Sequence, residues 1–74
     1  MASVTLGERV RLLRQSRHWT LAVLAHEAGL SVSYLNDIEH DRTVPALGRL
    51  VAIAAALDLT VSELLESTRP YGHV

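Results

Sequence analysis

Between Leu21 and His40 the chain reads LAVLAHEAGLSVSYLNDIEH, and this stretch constrains the fold more than any other. Leu24, Ala25 and Ala28 line one edge of a first short helix, and Leu30, Leu35 and Ile38 supply the facing edge of a second. Two helices that cross at roughly 90–120° over a turn of three or four residues need a small side chain where they meet. Ala25 provides it, and Gly29 stands where the first helix must end in a left-handed residue. Ser31 then serves as N-cap of the second helix, with Leu30 before it and Leu35 four positions into it packed as a hydrophobic staple. A helix, a tight turn and a second helix follow from these positions taken together.

The flanks are helical too. Thr5 and Glu8 form a capping box, and Leu6, Val10 and Leu13 recur at helical spacing, so a first helix starts at Thr5 and fades near His18. Thr20 caps the second helix, with Trp19 stapled onto Leu24, and the third runs over about Val32–Glu39. The polar segment His40–Pro45 is a loop, since Pro45 removes a donor and turns Val44 away from helix. A fourth helix takes up at Ala46 and continues to Leu57, with Leu47, Leu50, Val51, Ala54 and Leu57 expected inside; Ala46 offers it no capping oxygen and Gly48 weakens it. Thr60 and Glu63 form a second capping box, Leu59 staples to Leu64, and a short fifth helix covers 61–67. Pro70 and Gly72 mark a loose tail over 68–74, so the reading is one all-α domain over 1–74 with no repeat or linker.

Composition narrows the function classes. A chain of 74 residues has no cysteine to staple it through disulfides or thiolate-bound zinc, so packing must carry the fold; 49% apolar residues, mostly Leu, Ala and Val without Phe, suit close helix contacts. No apolar run is long enough to span a bilayer and no charged leader precedes one, which leads us to expect a cytoplasmic protein. His18, His26, His40 and His73 are dispersed, with no pair one turn apart, and no nucleophile, base and orienting acid share a helix face. The expectation is a protein that is not an enzyme and takes no metal or cofactor.

The net charge of −1 hides an asymmetry: residues 1–20 carry Arg9, Arg11, Arg14 and Arg17 against Glu8, a balance of +3, whereas residues 21–74 carry three Arg against seven acids, or −4. Arg9 and Arg17 are open to two readings, an anion-binding role or simple solvation of a helix face. Any polyanion would have to be met by local charge and by helix N-termini.

This arrangement resembles the Cro/C1-type (XRE-like) helix-turn-helix family, from LGERVRLLRQSRHWT through LSVSYLNDIEHDRTVP to VPALGRLVAIAAALDLTVSELL. Tyr34-Leu35, Ile38-Glu39 and Pro45 fall where that family has them. The resemblance implies a compact five-helix, lambda-repressor-like domain of bacterial or phage origin. It implies sequence-specific binding of double-stranded DNA as a homodimer, usually as a repressor, with helix 3 in the major groove of a palindromic operator. By position, Thr20 and Leu21 fall where phosphate is touched, Arg42 and Thr43 in the loop that touches the backbone, and Ser31, Val32, Ser33, Asn36 and Asp37 on the face toward the bases. Arg14 and Glu39 match a pair that joins helix 1 to helix 3 as an internal salt bridge.

Three positions depart from the family pattern. Leu21 stands where Gln is usual, Asp41 where Gly is common, and Asp37 where Arg, Lys or Gln is frequent. In these departures the chain is similar to actinobacterial regulators of Clp protease genes and deinococcal damage-response repressors.

Individual side chains on helix 3 keep two readings each. Val32 either meets a thymine methyl or is one exposed Val among many; Asn36 either pairs with adenine or bonds phosphate or water; Asp37 either accepts from cytosine N4 or is a solvated acid repelled by phosphate. Tyr34 packs at the rim or stacks on a base. Val61, Leu64 and Leu65 form an apolar stripe expected to join two copies. The apolar outer face of helix 2, Leu21, Ala22 and Val23, supports a second hypothesis: a protein-interaction module, antitoxin-like or anti-regulator, that keeps the same scaffold.

Overall fold

A computed structural model describes residues 3–66 and 68, in which five helices follow one another: α1 (Leu6–Ser16), α2 (Leu21–Ala28), α3 (Val32–Glu39), α4 (Leu47–Ala56) and α5 (Val61–Leu64). The bounds expected for helices 1 to 3 agree within two residues, and α5 is a single turn closed by Leu65 rather than a helix reaching 67. Of the tail expected over 68–74, all but Thr68 lies outside the described residues.

Each start is set by the residue type that sequence reasoning selects. Thr5, Thr20, Ser31 and Thr60 accept from the backbone N–H three residues on, and both capping boxes are closed, by Glu8 and by Glu63. Ala46 gives α4 no such bond.

The ends share a second device. Four helices stop at a left-handed residue, His18 (φ 58°), Gly29 (φ 69°), Asp41 (φ 57°) and Asp58 (φ 58°). At each, this residue's N–H and the next one's reach back to the last turn's carbonyls: Trp19 to Arg14, Leu30 to Ala25, Arg42 to Asp37 and Leu59 to Ala54. Gly29 is the only glycine among these four; a Cβ there would meet nothing within 4 Å, so its role is conformational. Aspartate and histidine tolerate the same geometry at some cost, which explains how Asp41 can stand where Gly is common.

The core collects Leu6, Val10, Leu24, Ala25, Ala28, Leu35, Ile38, Leu50, Ile53, Ala54, Leu57 and Leu64, with Leu13, Trp19, Leu21, Leu30, Tyr34 and Leu59 packed against it. α2 lies against α3 and α4, α1 against α3, and α4 against α5. Helix 4 corrects the expected inner face. Leu50, Ile53, Ala54 and Leu57 point inward, whereas Leu47 and Val51 are 68% and 49% exposed. The helix has two apolar edges one position apart, and periodicity alone does not choose between them.

The approach of α1 to α3 is unusually close at Gly7. A Cβ at this position would sit 2.4 Å from the Ile38 carbonyl oxygen and 2.7 Å from that of Glu39, both backbone atoms that cannot swing away. Asp41 sits at the same contact, with Oδ2 accepting from Thr5 Oγ1 and Oδ1 accepting from the Gly7 N–H at 3.0 Å. The last turn of α3 is therefore seated on the first turn of α1, where a carboxylate also favours the helix dipole. Gly7→Ala should cost about 1–3 kcal/mol by overpacking, lowering the melting temperature by roughly 4–8 °C per kcal/mol. Thermal denaturation followed by circular dichroism checks this, and an unchanged midpoint would show that the two helices can part freely.

Candidate nucleic-acid interface

The expected Arg14–Glu39 pair forms, and its geometry is two-pronged. Arg14 Nε donates to Glu39 Oε2 at 2.7 Å and Nη2 donates to Oε1 at 2.9 Å, while Nη1 donates to the Trp19 carbonyl at 2.8 Å. The two side chains are 12% and 1% exposed, so the pair works in a poorly solvated environment. The hydrogen bond to Glu39 raises the Arg14 pKa above its ordinary value against the opposing effect of burial. One cation thus ties α1, the turn into α2, and the last turn of α3.

Arg9 and Arg17 settle differently from either expected reading. Arg9 donates from Nε to the Leu64 carbonyl at 3.2 Å and from Nη2 to the Glu63 carbonyl at 3.0 Å. Arg17 donates from Nη2 to the Leu57 carbonyl at 2.7 Å, with its guanidinium 5.2 Å from the Trp19 ring centroid. Both donate to carbonyls at a helix end, where the last turn runs short of N–H donors of its own, at α5 and α4 respectively. Arg11 is left exposed, and among the described residues no bond holds its guanidinium.

On α3, Ser31, Val32 and Ser33 are exposed and Asn36 and Asp37 half-exposed, so the expected outward face exists as a continuous strip. Ser31 and Thr20 use their hydroxyl oxygens as caps, accepting from Tyr34 N–H at 3.1 Å and Val23 N–H at 3.2 Å, which leaves each its hydroxyl proton to donate outward. Leu21 is half-buried and packed on the core, so its side chain offers the surface only a part of its apolar body, beside the N–H of the first turn of α2. Asp37 Oδ1 accepts from Arg42 Nε at 2.9 Å. Thr43 is half-buried beside it in sequence, and Tyr34 packs against the core, as the first of its two readings had it.

An open cleft of about 360 Å³ flanks the N-terminal end of α3, lined by Gly29, Leu30, Ser31, Tyr34 and Arg49. Arg49 was missed in the sequence because it lies a full helix away from the motif, in a segment otherwise read for its apolar positions. The stripe expected at a dimer contact is corrected at one residue: Leu64 is fully buried in the chain's own core, because the single turn of α5 must plug α4, and only Val61 and Leu65 keep some surface. Val44, Leu47 and Val51 are exposed apolar side chains on the loop and outer edge of α4. No helix is long and apolar enough to cross a membrane, and no group of His, Asp and Glu could hold a metal ion, among the described residues.

The fold and the exposed strip on α3 define a helix-turn-helix domain, and a family model described as helix-turn-helix matches residues 10–64. The chain belongs to this Cro/C1-type (XRE-like) family. It is 45% identical over 62 residues to the immunity repressor protein of Bacillus phage phi105, covering 84% of this chain and 43% of that protein. It is also 45% identical over 67 residues to the HTH-type transcriptional regulator DdrOP3 of Deinococcus deserti, covering 90% and 52%. The chain therefore spans about half the length of these curated relatives. Among solved structures, the master regulator for biofilm formation SinR, in complex with DNA, superposes with a TM-score of 0.77 at 35% identity, covering 84% of this chain and 100% of that one. SinR is also solved in complex with the SinI protein.

Replacing Arg14 by Met should leave Glu39 buried without its partner, at a cost of about 3 kcal/mol, since breaking a buried pair from one side is far worse than removing an exposed one. The melting temperature should fall clearly while the helical spectrum below the transition is retained. If Arg14→Met melts with the wild type, the pair does not seat α3.

Proposed function

We propose that this chain binds double-stranded DNA as a transcriptional regulator, a repressor by its relatives' names, with α3 entering the major groove. The observation that carries this reading is the exposed strip Ser31, Val32, Ser33, Asn36 on a helix whose opposite face, Leu35, Ile38 and Glu39, is wholly committed to the interior. A side chain strip of this kind, held at fixed angle by α1 and α2, is what reads base edges from the N-terminal half of a recognition helix. Asn36 supplies a donor and acceptor for adenine and Val32 a surface for a thymine methyl.

Phosphate is met by the first-turn N–H groups of α2 at Leu21 and Ala22, by the Thr20 hydroxyl, by Arg42 and Thr43 after α3, and by the exposed Arg11 and Arg49. Two copies, joined through Val61 and Leu65, would place recognition helices about 34 Å apart for half-sites one helical turn apart. A cytoplasmic site of action in a bacterium or phage-infected cell accords with this reading.

A second reading rests on the outer face of α2, where Ala22 and the 41% exposed Val23 interrupt the polar surface. Such a face suits a protein partner, and SinR is a relative solved with one. The two readings separate by salt. If a bound dimer neutralises about six phosphates, affinity for a duplex should fall about a thousandfold between 50 and 200 mM salt. Fluorescence anisotropy on duplexes recovered by selection from genomic fragments measures it. A flat response, or no duplex recovered, would favour the protein-interaction reading.

A further inference from the structure

Asp37 is the odd residue on the outward strip, an acid on a surface that would face phosphates. At the ends of α1, α2 and α4, the residue following the left-handed position is Trp19, Leu30 or Leu59, each packed against the core. At the end of α3 the equivalent residue is Arg42, and the helical residue beneath it is Asp37. The backbone returns Arg42 over Asp37 through an N–H to carbonyl bond of 2.9 Å, and the side chains repeat the link, Nε to Oδ1 at 2.9 Å. The apolar contact usual at such an end is replaced by an ion pair whose members are 55% and 43% exposed.

The turn that brings them together is itself braced. Asp41, the left-handed residue between them, is held by Thr5 Oγ1 and the Gly7 N–H on α1. Arg42 is thus fixed at its backbone by the turn and at its Nε by Asp37. An arginine held through Nε presents Nη1 and Nη2 as a free fork, the geometry that grips a phosphate with two parallel bonds.

We infer that Asp37 is a positioning residue for Arg42: it orients the guanidinium fork toward a backbone phosphate and does not itself read a base. The inference rests on the DNA-binding reading above for its consequence, though not for the pairing. Holding the side chain in place before contact removes part of the ordering cost of a long, mobile arginine.

Two substitutions remove the same charge and differ in one acceptor. Asp37→Asn keeps an oxygen for Arg42 Nε, and Asp37→Ala does not. On a duplex selected from genomic fragments and on two unrelated duplexes at low salt, Asp37→Asn should bind about two- to fivefold more tightly than Asp37→Ala, by the same factor on all three. The difference should vanish when Arg42→Ala is added. Equal affinities for the two variants would overturn the inference, and so would a difference that depends on sequence and survives Arg42→Ala, which would make position 37 a base reader. In the free protein, 15N relaxation of the Arg42 Nε–H should report a restricted side chain that Asp37→Ala releases. An Nε–H as mobile in the wild type as in Asp37→Ala overturns the pairing even if no duplex binds, whereas failure to bind with a restricted Nε–H counts against the DNA-binding reading alone.

Discussion

The two-pronged contact of Arg14 with Glu39 is the interaction on which the rest of the structure depends. Glu39 ends α3 and is almost wholly buried, so its charge requires a partner that is equally fixed. Arg14 meets that need from α1 and reaches on to the Trp19 carbonyl, so a single guanidinium ties together α1, the turn into α2 and the last turn of α3. Hydrophobic attraction carries no direction of its own, so apolar contact alone leaves the angle between two helices to side-chain fit. A planar fork matched to a carboxylate adds a fixed direction.

The second constraint lies at the opposite edge of the same helix pair. Gly7 lets the backbones of α1 and α3 approach to a distance that no side chain permits, and Asp41 locks that approach with two bonds. α3 is thereby held near its last turn from two sides, while its first turn, capped by Ser31, buries Leu35 and turns Val32 and Ser33 outward. Arginines that charge bookkeeping would assign to a polyanion prove to be structural: Arg9, Arg14 and Arg17 spend their donors on carbonyls and a buried carboxylate. Among the described residues, Arg11, Arg42 and Arg49 are exposed and bind no carbonyl of the fold; Arg42 pairs with Asp37 on α3 and Arg49 lines the cleft beside Ser31 and Tyr34.

Much of this was legible in the sequence where a local rule has one solution. Thr5, Thr20, Ser31 and Thr60 each announce a helix start because an oxygen there satisfies a specific N–H, and Gly29 announces an end because only a left-handed residue closes the turn. The ends at His18, Asp41 and Asp58 use the same conformation without glycine, so a search for glycine finds one in four. Choices between equivalent faces were not legible: α4 carries apolar residues on two adjacent edges, and only the packing of α2 and α5 decides that Ile53 goes in and Leu47 and Val51 stay out. Leu64 was misplaced at a contact between copies for the same reason, since a one-turn helix has no interior of its own and its apolar residue serves the neighbouring element. Of the interface, the outward strip on α3 was readable from periodicity, whereas the Asp37–Arg42 link and Arg49 depend on a turn geometry and on a tertiary neighbour that spacing does not encode.

The central claim is that α3, seated by Arg14 and Gly7, presents its N-terminal half to DNA. Backbone amide shifts during titration of the 15N-labelled protein with a duplex at low salt test it most directly. The account predicts that perturbations concentrate on residues 20–22, 31–37 and 42–43, and spare the carbonyl-bound arginine sites at Arg9 and Arg17. Perturbations centred on Val23 and His26 or on Leu47 and Val51, with residues 31–37 unmoved, would contradict it.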